Sequence, residues 1–333
     1  MTRIAVLADI HGNLPALEAV IEALERLQPD LVLLNGDLIN CVPFSAQVID
    51  RVRSQDWAVV RGNHEFYYLN FGTERAPSDS QDPLRWGQLH WLVEQISSTQ
   101  GRYLALLPDE RTLYLPGLQP IGMAHGVPGN NRVGFYNELP DAQVAEKLHQ
   151  VTPRTFISAH THVQVDRHIY RQMAEALTPT SNLTSIHEKA RLRHWHLINP
   201  GSIGLPLNGN PQAQFALLEA VSEEKQPGGW QVTFQHVPYD RRPALAAYHE
   251  SGMAVAGGVM ATLFYWQLVS ARPEVNYFFR WAKSNGLNPD QAINDAFYAY
   301  VFATGRDRFI RDHDPLYQTN LTIKEKYNDS FVN

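Results

Sequence analysis

Five times within the first 162 residues, a short apolar run ends in a side chain able to bind a metal. The segments are Asp9-Ile10-His11, Gly36-Asp37, Gly62-Asn63-His64-Glu65, His125-Gly126 and His160-Thr161-His162. Each run reads as a strand, and each segment precedes a turn or a helix, as where α/β folds present ligands beyond the carboxyl ends of strands. The spacing inside two segments adds to this. In an extended chain residues two apart face the same side, so Asp9/His11 and His160/His162 can each face one centre.

The rest of the chain fits around these runs. Ile4–Ala8, Leu31–Leu34 and Trp57–Val60 read as strands, the first two short and continuously apolar. Between the first two, LPALEAVIEALERL carries apolar residues at helical spacing, with Asn13 as N-cap, Pro15 in the first turn and Pro29 beyond the end. Ala46–Val52 predicts another helix. Residues 71–107 show no strand signal, but the stretch after Pro83, Trp86–Ile96, predicts a helix. Thr112–Leu115 and Gln119–Ala124 predict paired strands, Leu139–Leu148 a helix, and Thr155–Ala159, His194–Ile198, Ala213–Glu219 and Trp230–Val237 later strands. Residues 171–193 read as a polar, helix-tolerant insertion. From Arg242 the pattern turns helical and aromatic, with helices expected at 243–250, 257–270, 273–284 and 289–304 and a polar, irregular end from Arg306. The expected fold is α/β: a two-sheet β-sandwich flanked by helices over 1–240, with a helical C-terminal extension over 241–333 packed on it.

A net charge of −6 argues against a stable nucleic-acid complex, which needs a basic face. It leaves room for a small phosphate ester, a nucleotide included, because metal ions can supply positive charge locally. One cysteine, Cys41, excludes an intrachain disulfide and is compatible with a reducing cytoplasm, the expected location. The start, MTRIAVLADIHGN, does not have the layout of a signal peptide. Met253–Trp266 is short for a membrane span and contains Gly257-Gly258, so a buried helix and no membrane partner are expected.

Carboxylate, imidazole and amide oxygen together suit manganese, iron, zinc, cobalt or nickel better than calcium. Asp37 is suited to bridge two cations roughly 3.5–4 Å apart. Taken singly, each residue has an ordinary reading: a strand-end His is a hydrogen-bonded polar residue, and Asp or Asn there is turn chemistry. Five in order, in the same context, are a metal site. His149, His168, His187, His236 and His249 lack partners at ligand spacing and read as structural or surface residues. His194 and His196 have the spacing but open a strand, and read as structural too.

The five segments resemble the motifs of the calcineurin-like metallophosphoesterases: D-x-H, G-D, G-N-H-D/E, a His followed by Gly, and G-H-x-H. ADIHGNLPALEAV and NPGSIGLP at 199–206 are similar to the small prokaryotic phosphodiesterase branch. The likeness covers roughly 1–240. It implies two divalent cations, manganese favoured: one held by Asp9, His11 and His162, the other by Asn63, His125 and His160, with Asp37 between them. It also implies that His64 is catalytic, protonating the leaving alkoxide or stabilising charge, while a metal-bridging hydroxide attacks. Departures are Ala159 for glycine, Glu65 for the commoner Asp with altered hydrogen bonding to His64 as the expected effect, and Leu-Ile-Asn after Asp37 where protein phosphatases carry Asp-Arg-Gly. A phosphodiesterase is therefore expected ahead of a phosphomonoesterase, a Ser/Thr protein phosphatase or a non-catalytic scaffold. The C-terminal aromatics read as core, with dimerisation or a lid as roles for the extension, and the 72–107 segment, with Trp86 and Trp91, is placed at the border of the cleft.

Overall fold

The computed structural model describes residues 1–173 and 191–318. Two five-stranded mixed sheets pack against each other. The first runs β10 (Trp230–Val237), β9 (Ala213–Ala220), β1 (Arg3–Leu7), β2 (Leu31–Asn35), β3 (Ala58–Val60). The second runs β4 (Glu110–Leu113), β5 (Ile121–Ala124), β6 (Thr155–Ile157), β8 (Arg191–Asn199), β7 (Val165–Met173). β1, β2 and β3 are parallel, as are β5, β6 and β8, whereas β9, β10, β4 and β7 pair antiparallel with their neighbours.

The unbroken apolar runs are explained by layers on both faces. Ile4, Val6, Leu33 and Val60 meet Ile121, Met123, Ile157 and Ile198 between the sheets. Ala5, Leu7, Val32 and Leu34 face the opposite way, into a helical layer. That layer includes α1 (Leu14–Leu27) and α2 (Ser45–Arg53). Asn13 caps α1 by accepting from Ala16 N–H at 3.2 Å, and Pro15 occupies the first turn. The outer face of the second sheet is covered by α6 (Asp141–Lys147), packed around Trp195 and Ile169.

Three helices were not anticipated: α3 (Asn63–Asn70), α5 (Ser98–Leu106) and α11 (Arg306–His313), the last in a stretch expected to be irregular. The expected insertion at 171–193 is corrected at both ends, because residues 171–173 and 191–193 belong to strands; His187 and the rest lie outside the described residues. β7 gave no strand signal because it is an edge strand with alternating exposure, burying only Val165 and Ile169 as core residues.

The helix expected after Pro83 is α4 (Pro83–Gln95), and beyond β10 come α7 (Arg242–Glu250), α8 (Met253–Ser270), α9 (Glu274–Ser284) and α10 (Ile293–Thr304). By length and hydropathy α8 would suffice to cross a membrane, yet 56% of it is buried in the molecule and Gly258 breaks it at φ 53°. α8 crosses α4 at close range. A Cβ on Gly87 would lie 2.2 Å from Ala256 O, and one on Gly257 3.1 Å from Gln88 Cβ. The C-terminal aromatics do serve as core: Phe278 and Trp266 are buried, and Tyr265, Phe279 and Trp281 pack around them.

Candidate metal centre

The parallel strands of both sheets end at the same edge, and there the chain places the residues singled out above. Asp9 and His11 follow β1, Asp37 follows β2, and Asn63 and His64 follow β3 and open α3. From the other sheet come His125 after β5, and His160 and His162 after β6. The reason that paired residues converge differs from the expectation. Asp9, His11, Asp37, His160 and His162 are not extended; they sit in the left-handed region at φ 54°, 52°, 53°, 69° and 57°. Such a conformation costs a non-glycine residue about 1–3 kcal/mol and persists where surroundings over-determine it. Here the surroundings are a backbone ladder continuing past the strands: Asp9 N–H donates to Gly36 O (3.1 Å), His11 N–H to Asp37 O (2.9 Å) and Gly12 N–H to Leu38 O (2.8 Å). Ala159 has no positive φ, so its Cβ is tolerated at the position where the motif G-H-x-H has glycine.

Two donor groups result, Asp9/His11/Asp37/His162 and Asp37/His125/His160, and Asp37 belongs to both. Asn63 Oδ1 lies 2.9 Å from His160 Nδ1 and 3.1 Å from His125 Nε2. The outer nitrogens are fixed: His162 Nδ1–H donates to Leu205 O (2.6 Å) and His125 Nδ1–H to Asn35 O (2.8 Å), which leaves each Nε2 for the centre.

Whether these residues suit a cation is tested by Asp9. Its carboxylate is fully buried and neither oxygen has a partner at full hydrogen-bond geometry among the described residues, the His160 backbone N–H offering only a weak one. Around Oδ1 stand the Nε2 atoms of His162 (3.5 Å), His11 (3.8 Å) and His125 (3.9 Å). A bare buried carboxylate is expensive, and burial accordingly pushes its pKa well up. Burial also holds His11 well down, and brings His160 to about 3 and His162 to about 4, so these rings are neutral and keep lone pairs to give. Burial opposes protonation of His125 as well, but Asp37 and Asp9 outweigh it and raise this ring to about 10, positive charge standing where a cation would serve the same carboxylates. The donor set fits a divalent metal.

His64 lies beside this set, its ring edge-on to His11 at 4.7 Å. Asn40 Oδ1 accepts from Cys41 N–H (2.9 Å), which turns Asn40 Nδ2 toward His64 Nδ1 (3.0 Å). The amide donates, so Nδ1 is an acceptor and His64 carries its hydrogen on Nε2. Glu65 makes no hydrogen bond to the His64 ring; its partners are all backbone groups. It is buried and takes four backbone N–H groups: those of Gly62 (2.6 Å), Asp37 (3.0 Å), Leu38 (2.8 Å) and Ile39 (3.3 Å).

The 199–206 loop closes the other side. Ser202 Oγ and Gly204 N–H both donate to Asp9 O (2.8 and 3.0 Å), and Asn199 Nδ2 donates to Ala159 O (2.9 Å). Gly204 is dictated by contact, since a Cβ there would lie 1.8 Å from Ile10 O.

A cavity of about 300 Å³ opens over the centre, lined by His11, Asp37, Asn63, His64, His160 and His162. Its far walls come from Arg85, Trp86 and Leu89 of α4 and from Met260, Phe264 and Asn276 of the C-terminal helices. Trp86 stands at the cleft border as expected, whereas Trp91, expected with it, does not line the cleft and is buried in the helical layer. The position of α8 and α9 at the cleft agrees with the lid named as one role for the extension, but Met260, Phe264 and Asn276 are not singled out by the sequence, where the apolar ones carry a core signal.

The model of the calcineurin-like phosphoesterases matches residues 2–179, a span that includes all eight site residues. The chain is 23% identical over 219 residues to an uncharacterized protein of Methanocaldococcus jannaschii, covering 65% of this chain and 82% of that one. Its fold is similar to the crystal structure of a metallophosphoesterase from Sphaerobacter thermophilus (TM-score 0.56, 24% identity, 81% of this chain and 98% of that one). It is likewise similar to a hypothetical protein from Pyrococcus horikoshii (TM-score 0.58, 20% identity, 78% and 98%). With a family match over more than half its length, and metal-capable residues gathered at one strand-end edge, the chain belongs to the calcineurin-like phosphoesterases, metal-dependent hydrolases of phosphate esters.

Proposed function

We propose that the chain is a phosphodiesterase acting on small diesters with two divalent cations. Asp9, His11, Asp37 and His162 would hold one and Asp37, Asn63, His125 and His160 the other, a mixed oxygen–nitrogen set for which manganese is the first choice. When bound, the cations supply Lewis acidity toward the phosphoryl group and lower the pKa of water to about 7. The chain's own contribution is His64, whose Nε2–H is available to the phosphoryl or leaving oxygen and stabilises charge that grows there.

The observation that carries the choice of a diester is the Asn40–His64 pair. An acidic partner would favour an imidazolium; the amide favours a neutral N–H donor. Arg85, at the cleft wall, is turned to Asp290 (3.3 Å) and packed over Phe279. A singly charged diester leaves less charge uncompensated in such a place than a dianionic monoester does. The walled cleft also favours small substrates, nucleotides among them, over a folded phosphoprotein.

The test is a panel of an aryl diester, an aryl monoester and a phosphopeptide, assayed with manganese. The diester is expected to show the highest kcat/KM; a higher value for the monoester or the peptide refutes the assignment. His64→Ala is expected to keep its metals and lose about 10²–10⁴ in kcat, most for poor leaving groups. Wild-type turnover of an unactivated diester by that variant would remove His64 from the chemistry.

A further inference from the structure

A second group of metal-capable side chains lies outside the centre. His168 and His196, read from sequence as structural, are direct partners across the antiparallel β7–β8 pair, and Asp166 and His194 flank them on the same face. Spacing along the chain could not show this, because the partners sit on different strands. The rings of His168 and His196 stack with centroids 4.2 Å apart and 22° between planes. His168 Nδ1 is 2.8 Å from His194 Nε2, and His196 Nε2 is 2.6 Å from Asp166 Oδ1. The turn between β9 and β10, from the other sheet, closes over the group. Gln226 Nε2 lies 2.9 Å from His168 Nε2, and a Cβ on Gly228 would stand 3.3 Å from His196 Nδ1.

Hydrogen bonding alone leaves this group unfinished. Gln226 donates to His168 Nε2, so His168 Nδ1–H donates to His194, and His196 Nε2–H donates to Asp166. His196 Nδ1 then remains a buried lone pair with no partner among the described residues, on a side chain that is fully buried. An unpartnered buried ligand-type atom is also what Asp9 presents in the main centre. Ligand atoms of Asp166, His168 and His196 lie within 4.8 Å of one another.

We propose that Asp166, His168 and His196 form a separate cation site, with His194 as a further imidazole within reach. Two or three imidazoles and one carboxylate suit zinc or a neighbouring late first-row metal, not magnesium or calcium. Its role is structural: it fastens the edge hairpin β7–β8 next to the turn of the opposite sheet. It differs from the catalytic set by having one carboxylate, which is partly exposed, and no bridging ligand.

The test is metal content after chelation and reloading with zinc alone. In an Asp37→Ala background, which removes the ligand shared by both donor groups of the main centre, adding His168→Gln is expected to lower the zinc content by one per chain. An equal zinc content with and without His168→Gln, or no stoichiometric zinc in Asp37→Ala, identifies an adventitious ion only and overturns the proposal. Should Asp37→Ala fail to fold, His168→Gln in the otherwise wild-type chain gives the decision. It should bind one zinc fewer per chain while keeping diester hydrolysis, and an unchanged zinc count refutes the site.

Discussion

Glu65 holds no metal and meets no substrate in this reading, yet the centre depends on it. Its two oxygens take the N–H groups of Gly62, Asp37, Leu38 and Ile39, tying the start of α3 to the loop that carries Asp37. Burial raises its pKa to about 7 despite those donors. Glu65→Gln sets an amide N–H against backbone N–H groups. The expected loss is about 1–3 kcal/mol of unfolding free energy in urea, with manganese affinity down about 10–100-fold. Unchanged affinity would show that the Asp37 loop holds its shape unaided. Asp9 makes the opposite case. Asp9→Asn removes a buried acid and its desolvation cost, so the metal-stripped protein should melt higher than stripped wild type while its response to added manganese shrinks, one of the two donor groups being lost. A lower melting point for the stripped variant would mean that Asp9 contributes to the fold without a cation.

At the scale of elements, the α4–α8 crossing sets the cleft's far wall. Gly87→Ala pushes a methyl into Ala256 O and must displace α8, which carries Met260 and Phe264. The expected result is a stability loss of about 1–3 kcal/mol together with a rise in KM larger than the fall in kcat. An unchanged KM beside a lower Tm would separate the crossing from substrate binding. The strands that end in ligands were legible because apolar runs and metal-capable residues are both local signals. β7 was not, since an edge strand with Asp166, His168 and Tyr170 on one face lacks the apolar run of its neighbours. The left-handed backbone at Asp9, His11, Asp37, His160 and His162 was equally hidden, being imposed by the ladder between loops. So was the task of Glu65, whose partners are backbone groups that no residue type advertises.

For the molecule as a whole, the centre is a contact between two sheets. Asp9, His11, Asp37 and Asn63 come from one, and His125, His160 and His162 from the other. Cations bound there stabilise the folded state by mass action, by about 2.7 kcal/mol at a hundredfold excess over Kd. Chelation is therefore expected to lower Tm by several degrees and manganese to restore it, read by scanning calorimetry in excess chelator and then in excess metal. A Tm indifferent to both would place the donors too far from productive geometry to bind.

The seam has a kinetic consequence as well. With donors split between the sheets and all but His160 buried, a cation that leaves toward the cleft must part from ligands of both sheets. Breathing of the open edge of the sandwich loosens both halves of the donor set at once, so the rate of metal exchange responds to that motion. Substitutions between the sheets, such as Ile157→Val, should then quicken exchange without altering any donor atom.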